Sequence, residues 1–281
     1  MPEVRRGGKP TLHYALDDHT DPWRDAPYLF LQHGYGRSGR FWYSWVPYLS
    51  RFYKVVRPDL RGLGQSEVPD DLETGLTVEA YIEDLLAIIE GLGGAPIHYC
   101  GESLGGILGM VLAAEHPQKL RTLSLVAAPL LINKDTQRAF AFGHPTWQDA
   151  LKQMGSRKWA EAANSATRFP EGTDPGLLAW YADEMGKSSV DVLIRMSRIA
   201  STVDATPCID RIITPTLGLY PQVAPVTIQS QEQILKERIR SLKIVHVPSR
   251  HHTIQNIMPA TLAKEVLHFA AQHDGVAAHE P

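Results

Sequence analysis

A single serine, Ser103, lies among glycines in the stretch YCGESLGGILG, residues 99–109. An apolar run ends just before this turn, and a helical pattern of apolar residues follows it. In the order strand, turn and helix, a G-x-S-x-G sequence places its serine hydroxyl above a sheet as a nucleophile. Any side chain at Gly101 or Gly105 would collide with the tight turn. The sequence therefore predicts that Ser103 is a catalytic nucleophile at a strand-to-helix turn.

Short apolar runs rich in β-forming residues recur along the chain and alternate with helical patterns. Several of these runs are apolar nearly throughout, which is typical of strands that are buried on both faces. The alternation predicts an α/β fold in which helices flank a mostly parallel sheet on both sides. The predicted strands comprise residues 28–32, 53–57, 96–100, 123–127, 215–220 and 243–247.

The strand pattern is interrupted between residues 133 and 210, where tryptophans, methionines and helix-forming residues replace it. Because strand-like runs resume at Ile213, we predict a core of residues 1–132 and 211–281 with a helical cap insertion at 133–210. From about His273 the composition is typical of a frayed tail. The large side chains of the insertion either line an apolar pocket or form ordinary core: Trp147, Met154, Trp159, Trp180, Tyr181, Met185 and Met196.

Beyond the serine turn, two further motifs show that the chain resembles the α/β-hydrolase superfamily over nearly its whole length. The segment LQHGYGRSGRFW, residues 31–42, is similar to the family's His-Gly loop after the third strand. The resemblance implies an oxyanion hole formed by the backbone N–H groups of Tyr35 and Leu104. The segment RPDLRGLGQS resembles the family's Asp-x-Arg-Gly-x-Gly-x-Ser loop. In that loop we expect Asp59 and Arg61 to stabilise the turn rather than to take part in catalysis.

The resemblance also implies a catalytic histidine after the last strand, where the chain offers His251 and His252. Family members usually have Gly-His there, with a proline seven residues after the histidine, and Pro259 has this spacing from His252. A neutral imidazole can accept the serine proton near neutral pH and later return it to the leaving group. We therefore predict that His252 is the general base and that His251 occupies the usual glycine position.

The third catalytic residue of the family, usually an aspartate, is missing from its expected loop. Residues 211–231 contain no carboxylate, and Ala224 stands at the position of the acid. One explanation is a displaced acid, for which Asp135 and Asp204 are the candidates. A second is a Ser-His dyad whose imidazole is oriented by Gln222 or a backbone carbonyl. A third is a protein that binds a ligand without efficient turnover, because losing the acid reduces turnover by about 10⁴.

The composition favours a small-molecule ligand over a charged macromolecule. The 281 residues are 43% hydrophobic and 21% charged, with a formal net charge of -3, which favours neither nucleic acid nor an anionic membrane as a partner. Apolar runs of about 18 residues and a signal-like segment are both missing, so we expect a cytoplasmic protein. Cys100 and Cys208 lack the spacing of a zinc site, and we predict neither metal nor cofactor. Oligomeric state is left open.

Together these features predict a serine hydrolase that cleaves a small, largely apolar carboxylic ester or lactone through an acyl-enzyme on Ser103. Serine at this position disfavours the haloalkane dehalogenases and epoxide hydrolases of the same fold, which need a carboxylate there. Hydrolases of carbon–carbon bonds in diketone-like substrates keep the serine and histidine and stay open as an alternative. A ligand-binding protein with degenerate catalysis is the other alternative.

Overall fold

The computed structural model describes residues 2–278, with the backbone alone for Ala166. Within these residues eight strands form one sheet in the order β1-β2-β4-β3-β5-β6-β7-β8. Neighbouring strands from β4 to β8 are parallel, whereas β2 pairs antiparallel with both β1 and β4. The strands are β1 Glu3–Arg6, β2 Lys9–Asp17, β3 Tyr28–Gln32, β4 Lys54–Pro58, β5 Ile97–Glu102, β6 Leu120–Val126, β7 Thr216–Pro221 and β8 Leu242–Val247.

Helices connect the parallel strands, and short 3-10 turns occur at Gly39–Trp42, Pro117–Lys119 and Ile209–Arg211. A π-helical segment, Asn164–Arg168, follows α6. The α-helices are α1 Val46–Leu49, α2 Leu72–Gly75, α3 Val78–Gly91, α4 Leu104–Glu115, α5 Lys134–Ala139, α6 Trp147–Ala163, α7 Pro175–Gly186, α8 Val190–Thr202, α9 Gln229–Arg238, α10 Ile254–Ile257 and α11 Pro259–Asp274.

The two faces of the sheet pack into two separate apolar clusters. Leu29 and Leu31 of β3 belong to the cluster that contains residues of α1 and α11. Phe30, between them, belongs to the other cluster, with residues of α3, α4 and the helices between β6 and β7. This alternation follows from the two-residue period of a strand. All six residues of β5 are buried, as its nearly continuous apolar sequence predicts.

The predicted α/β architecture is confirmed, including an inserted helical region, because α5 to α8 lie between β6 and β7. Strands β1 and β2 were not predicted, because their exposed and buried positions are interspersed along the antiparallel side of the sheet. Among residues 2–278, no helix combines the length and the apolar character needed to cross a membrane.

The prediction of a frayed tail from His273 is wrong for the described part of that segment. Asp274 ends α11 with its side chain 2% exposed, and its Oδ2 atom lies 2.8 Å from Nε2 of His98. The Tyr53 hydroxyl donates to the same oxygen at 3.0 Å. These contacts attach the end of α11 to the sheet, and they join residues far apart in sequence.

Two buried histidines, His33 and His98, lie at opposite ends of the central strands. His33 follows β3; its Nε2 accepts the backbone N–H of Leu60 at 3.1 Å, and its Nδ1 is 2.8 Å from the Gly34 carbonyl oxygen. Burial lowers the pKa of both imidazoles to about 4, against the opposing attraction of Asp59 for His33 and Asp274 for His98. Both rings are therefore neutral in the folded protein near neutral pH.

We expect the free energy of unfolding to fall as the pH drops from 6 to 5. Unfolded histidines protonate near pH 6.5, whereas folded His33 and His98 protonate only near pH 4, so the unfolded state binds more protons in this window. Each histidine contributes up to about 1.4 kcal/mol per pH unit. Urea unfolding at pH 7, 6 and 5 measures how the free energy of unfolding depends on pH. In His98→Gln, unfolding between pH 6 and 5 should take up about one proton fewer than in the wild type. An identical pH dependence in both proteins would contradict the assignment.

Candidate active site

Ser103 stands between the end of β5 and the first residue of α4. Its backbone adopts φ 53° and ψ -120°, a conformation that L-residues rarely take and that is typical of functional sites. Its N–H donates to the Val126 carbonyl at 3.1 Å, which fixes the turn against β6. A Cβ at Gly101 would overlap the Gly105 carbonyl, and one at Gly105 would lie 2.6 Å from the Gln32 carbonyl oxygen. The strand, turn and helix around Ser103 therefore have the predicted geometry.

The loop after β3 passes directly beside this turn. A Cβ at Gly34 would lie 2.7 Å from Oε2 of Glu102 and 3.0 Å from Cβ of Ser103, so only glycine allows this approach. Tyr35 follows Gly34, and Leu104 begins α4, where a first-turn N–H lacks an intrahelical acceptor. The structure thus brings the segments of both predicted oxyanion-hole residues to Ser103, and their role stays a prediction.

His252 lies in the loop after β8 and is 4% exposed. Its backbone N–H donates to the Thr167 carbonyl at 2.9 Å, in the π-helical segment. Its Nε2 is 3.4 Å from Oε1 of Glu102, and its buried Nδ1 has no hydrogen-bond partner among the described residues. Within residues 2–278 there is also no hydrogen bond between Ser103 and His252. The imidazole therefore faces the carboxylate next to the serine.

Neither predicted replacement for the acid reaches His252. The Asp135 side chain is 86% exposed and lies 3.3 Å from Nη1 of Arg138. Asp204 is exposed and accepts the backbone N–H of Thr206 at 2.7 Å. In the described structure neither carboxylate forms an ion pair or hydrogen bond with the imidazole, which counts against both assignments. Their position beside the inserted helices, on which the prediction rested, does not direct them towards the site.

Gln222, the neutral residue predicted as an alternative for orienting His252, is exposed, and its backbone N–H donates to the Val247 carbonyl. His251, the neighbouring histidine, is half-buried and hydrogen-bonds through its backbone to Ser249. Glu102, the carboxylate that does contact His252, was not predicted from the sequence. The available signal was an acidic residue at the end of an otherwise apolar strand, beside the nucleophile.

Four buried groups form a charge cluster beside Ser103: Arg37, Glu102, Arg168 and His252, each 4% exposed or less. Nη1 of Arg37 lies 2.8 Å from Oε2 of Glu102. Burial raises the pKa of Glu102, and the positive charge of Arg37 opposes this shift. Burial acts against the charge of Arg37, but the attractions of Glu102 and Tyr181 together outweigh burial, so the Arg37 pKa is raised. Arg37 thus offsets part of the cost of burying the Glu102 carboxylate.

The other two members of the charge cluster have lowered pKa values. Burial lowers the pKa of Arg168, and repulsion from Arg37 adds to this effect. Burial also lowers the pKa of His252 well below 6.5, with further lowering by the two guanidinium groups. His252 is consequently neutral near neutral pH, which is the form that can accept a proton.

Asp59 and Arg61 have the structural role predicted for them. Asp59 accepts the backbone N–H groups of Gly39 at 2.7 Å and Gln65 at 3.0 Å. The Arg61 guanidinium binds the Asp84 carboxylate and donates to the Gly75 carbonyl at 3.0 Å. These bonds fix the turn after β4 and join it to the loop that carries Tyr35.

Aromatic and methionine side chains of the inserted helices close over this region. The Tyr35 ring is 4.7 Å from that of Trp147 and 5.6 Å from that of Trp159, and both tryptophans are buried. Tyr181, Met185 and Met196 are fully buried as well. They therefore form packed core in this conformation, and Ser103 is only 4% exposed.

A cleft of about 950 Å³ lies beside the charge cluster, between the inserted helices and the loops after β3 and β4. Arg37 and Trp180 contribute to its wall, whereas Ser103 and His252 do not. The cleft thus approaches the site from the Arg37 side. Among residues 2–278 there is no group of three or more His, Cys, Asp or Glu side chains that could hold a metal ion.

Comparisons with known proteins agree with this architecture. A family described as "alpha/beta hydrolase fold" matches residues 27–163. The putative carbamate hydrolase RutD of Stutzerimonas stutzeri strain A1501 is 34% identical over 215 residues, which cover 73% of this chain and 76% of the relative. The chain belongs to the α/β-hydrolase superfamily. It is an α/β-fold hydrolase, as the sequence predicts.

Two solved structures of this α/β-hydrolase fold align with nearly the whole chain. The enol-lactonase of Burkholderia xenovorans LB400 superposes with a TM-score of 0.83 and 23% identity, covering 95% of this chain and 99% of that protein. The thermophilic esterase of Thermogutta terrifontis gives a TM-score of 0.81 at 18% identity, covering 96% and 97%. At these identities the similarity establishes the fold alone.

We expect the imidazole of His252 to stay neutral in mild acid, because burial and the guanidinium groups of Arg37 and Arg168 lower its pKa. NMR of ring-labelled histidine should show one resonance, identified by its loss in His252→Ala, that does not titrate between pH 7.5 and 5.5. In Arg168→Met the titration midpoint of the His252 resonance should move to higher pH, because one positive charge that repels the imidazolium has been removed. A midpoint near pH 6.5 in the wild type would contradict the described environment.

Proposed function

We propose that this hydrolase cleaves a small, largely apolar carboxylic ester or lactone through an acyl-enzyme on Ser103. The observation that carries the proposal is the strained backbone of Ser103, with φ 53° at the turn between β5 and α4. Such strain persists only where the surrounding structure enforces it, and here it turns the serine towards the loop of Gly34.

The first half-reaction needs a base, a nucleophile and an oxyanion site. The Ser103 hydroxyl gives its proton to Nε2 of His252 while Oγ bonds to the carbonyl carbon, and the carbonyl π electrons move to its oxygen. The N–H groups of Tyr35 and Leu104 stabilise that oxyanion. When the carbonyl reforms, the C–O bond to the leaving group breaks, and the imidazolium protonates the alkoxide. Water then repeats the sequence on the acyl-enzyme and releases the acid.

Glu102 supplies the electrostatic part of the missing acid's role. Nε2 of His252 lies 3.4 Å from Oε1 of Glu102, so the ring must turn from the carboxylate to Ser103 before Nε2 can accept the serine proton. Apo structures often lack the catalytic hydrogen bond, which forms only in the substrate complex. Once the imidazole carries the serine proton, the nearby carboxylate stabilises its positive charge. We assign no catalytic role to Asp135 or Asp204, because both carboxylates are exposed and directed elsewhere.

Two observations support this substrate class. Trp147 and Trp159 pack around Tyr35, so an acyl or alkyl group that enters beside Tyr35 would meet an apolar surface. The similar proteins are described as a putative carbamate hydrolase, an enol-lactonase and an esterase. Carbamates, lactones and esters share a carbonyl carbon bonded to oxygen, and all three belong in a substrate panel.

We expect a fluorophosphonate probe to label the wild-type protein and Ser230→Ala, a control on the exposed face of α9, but not Ser103→Ala. Hydrolysis of p-nitrophenyl acetate should fall by at least about 10³-fold in Ser103→Ala, because the nucleophile of the covalent pathway is lost. Gel fluorescence and initial rates measure the two effects. Labelling and turnover that persist without Ser103 would overturn the proposal.

We expect Glu102→Gln to reduce kcat by about 10²- to 10⁴-fold with little change in KM, since it removes stabilisation of the imidazolium. Asp135→Asn and Asp204→Asn, the matched carboxylate-to-amide controls, should stay within about twofold of the wild type because both side chains are exposed. The NMR midpoint of His252 should fall further in Glu102→Gln, which a purely structural effect would not produce. A large loss in either control with near-normal Glu102→Gln would identify a displaced acid instead.

A further inference from the structure

Arg168 is a buried guanidinium without a carboxylate partner. It ends the π-helical segment after α6 and is 3% exposed. Its Nη1 lies 3.1 Å from Sδ of Met185 and 3.4 Å from Oδ1 of Asn164, both uncharged atoms. The guanidinium carbon stands 5.3 Å from the ring centres of both Trp159 and Tyr181. Within residues 2–278, Arg168 forms no ion pair.

The charge cluster therefore has an unbalanced positive charge. Arg37 is paired with Glu102, His252 is neutral, and Arg168 supplies one cation more than the carboxylate can offset. Buried charges are normally paired, because an isolated ion in the interior is strongly destabilised. The excess of one charge equals the charge of one carboxylate, whereas a dianionic phosphate would leave the cluster negative.

A second polar group near Arg168 also lacks a partner. The Tyr181 ring lies under the guanidinium, and its buried hydroxyl has no hydrogen-bond partner among the described residues. The guanidinium carbon of Arg37 also stands 6.0 Å from the Tyr181 ring centre, so the ring adjoins both arginines of the charge cluster. A guanidinium and a phenol O–H are both donors, and together they suit an anion with two oxygens.

Arg168 is also physically attached to the predicted base. The Thr253 hydroxyl donates to the Arg168 carbonyl at 2.5 Å, and the His252 N–H donates to the preceding carbonyl, that of Thr167. The guanidinium carbon lies 5.3 Å from the ring centre of Trp159, which is itself 5.6 Å from the ring centre of Tyr35, on the oxyanion side of Ser103. An anion bound at Arg168 would therefore lie close to the reacting carbonyl group.

We propose that Arg168, assisted by the Tyr181 hydroxyl, binds a carboxylate of the substrate, so that the preferred substrates are esters or lactones that also carry a carboxylate. This inference rests on the proposed function at Ser103 and narrows its substrate class. The rings of Trp147 and Trp159 would contact the apolar body of such a molecule, and Arg168 would bind its charged end. The carboxylate supplies the negative charge that the cluster lacks.

Matched pairs of esters test the inference: monomethyl glutarate against methyl pentanoate, and monomethyl adipate against methyl hexanoate. In at least one pair the wild type should favour the carboxylate ester by at least tenfold in kcat/KM, measured by acid release in a pH-stat. Arg168→Met should reduce that ratio to about one, and Tyr181→Phe should reduce it severalfold. Lys187→Met, which removes an exposed cation paired with Glu184, should keep it. A change in the basicity of His252 affects both esters of a pair equally, so it cancels in the ratio of their kcat/KM values at one pH.

The outcomes separate this inference from the proposed function. Equal rates in both ester pairs, with normal fluorophosphonate labelling of Ser103, would overturn the carboxylate site and leave the serine hydrolase intact. A missing label would overturn the proposed function itself. If Arg168→Met does not fold, the wild type still decides: glutarate should slow fluorophosphonate labelling, and neutral glutaramide should not. Equal protection by both compounds, or by neither, would count against the site.

Discussion

The ion pair between Glu102 and Arg37 joins the two segments on which the site depends. Glu102 ends β5 immediately before Ser103, and Arg37 lies in the loop that carries Tyr35. Because both side chains are almost fully buried, breaking the pair would leave an uncompensated charge in the interior, a change that typically costs about 3–5 kcal/mol. The pair therefore couples the position of the serine turn to that of the predicted oxyanion loop.

The inserted helices are connected to the same centre through the π-helical segment. Its carbonyl groups at Thr167 and Arg168 accept hydrogen bonds from His252 and Thr253. π-helical turns are rare and occur frequently at functional sites, where they redirect a side chain. Here the segment places Arg168, from the inserted helical region, in the charge cluster. Movement of the inserted helices would thus change the surroundings of the imidazole as well as access to the serine.

Burial determines the chemistry of this centre as much as the identities of its residues. Ser103 and His252 are each 4% exposed, and the aromatic side chains that pack around Tyr35 are buried as well. The same burial lowers the pKa of His252 and keeps its ring neutral, ready to accept a proton. It also makes the excess charge of Arg168 significant, because an exposed arginine would be solvated and would need no partner.

The sequence by itself determined the sheet, the serine turn and the absence of the usual acid. Apolar runs mark buried strands, and the glycines around Ser103 are dictated by local backbone contacts, so both can be read within a few residues. Only the tertiary structure decided which charged groups surround His252. Glu102, Arg37 and Arg168 come from three separated segments, and no local pattern encodes their distances. Asp135 and Asp204 are an example. Their positions in the chain suggested that they lie near His252, but both side chains are exposed to solvent. A residue's charge partners and exposure depend on how distant elements pack, which periodicity does not specify.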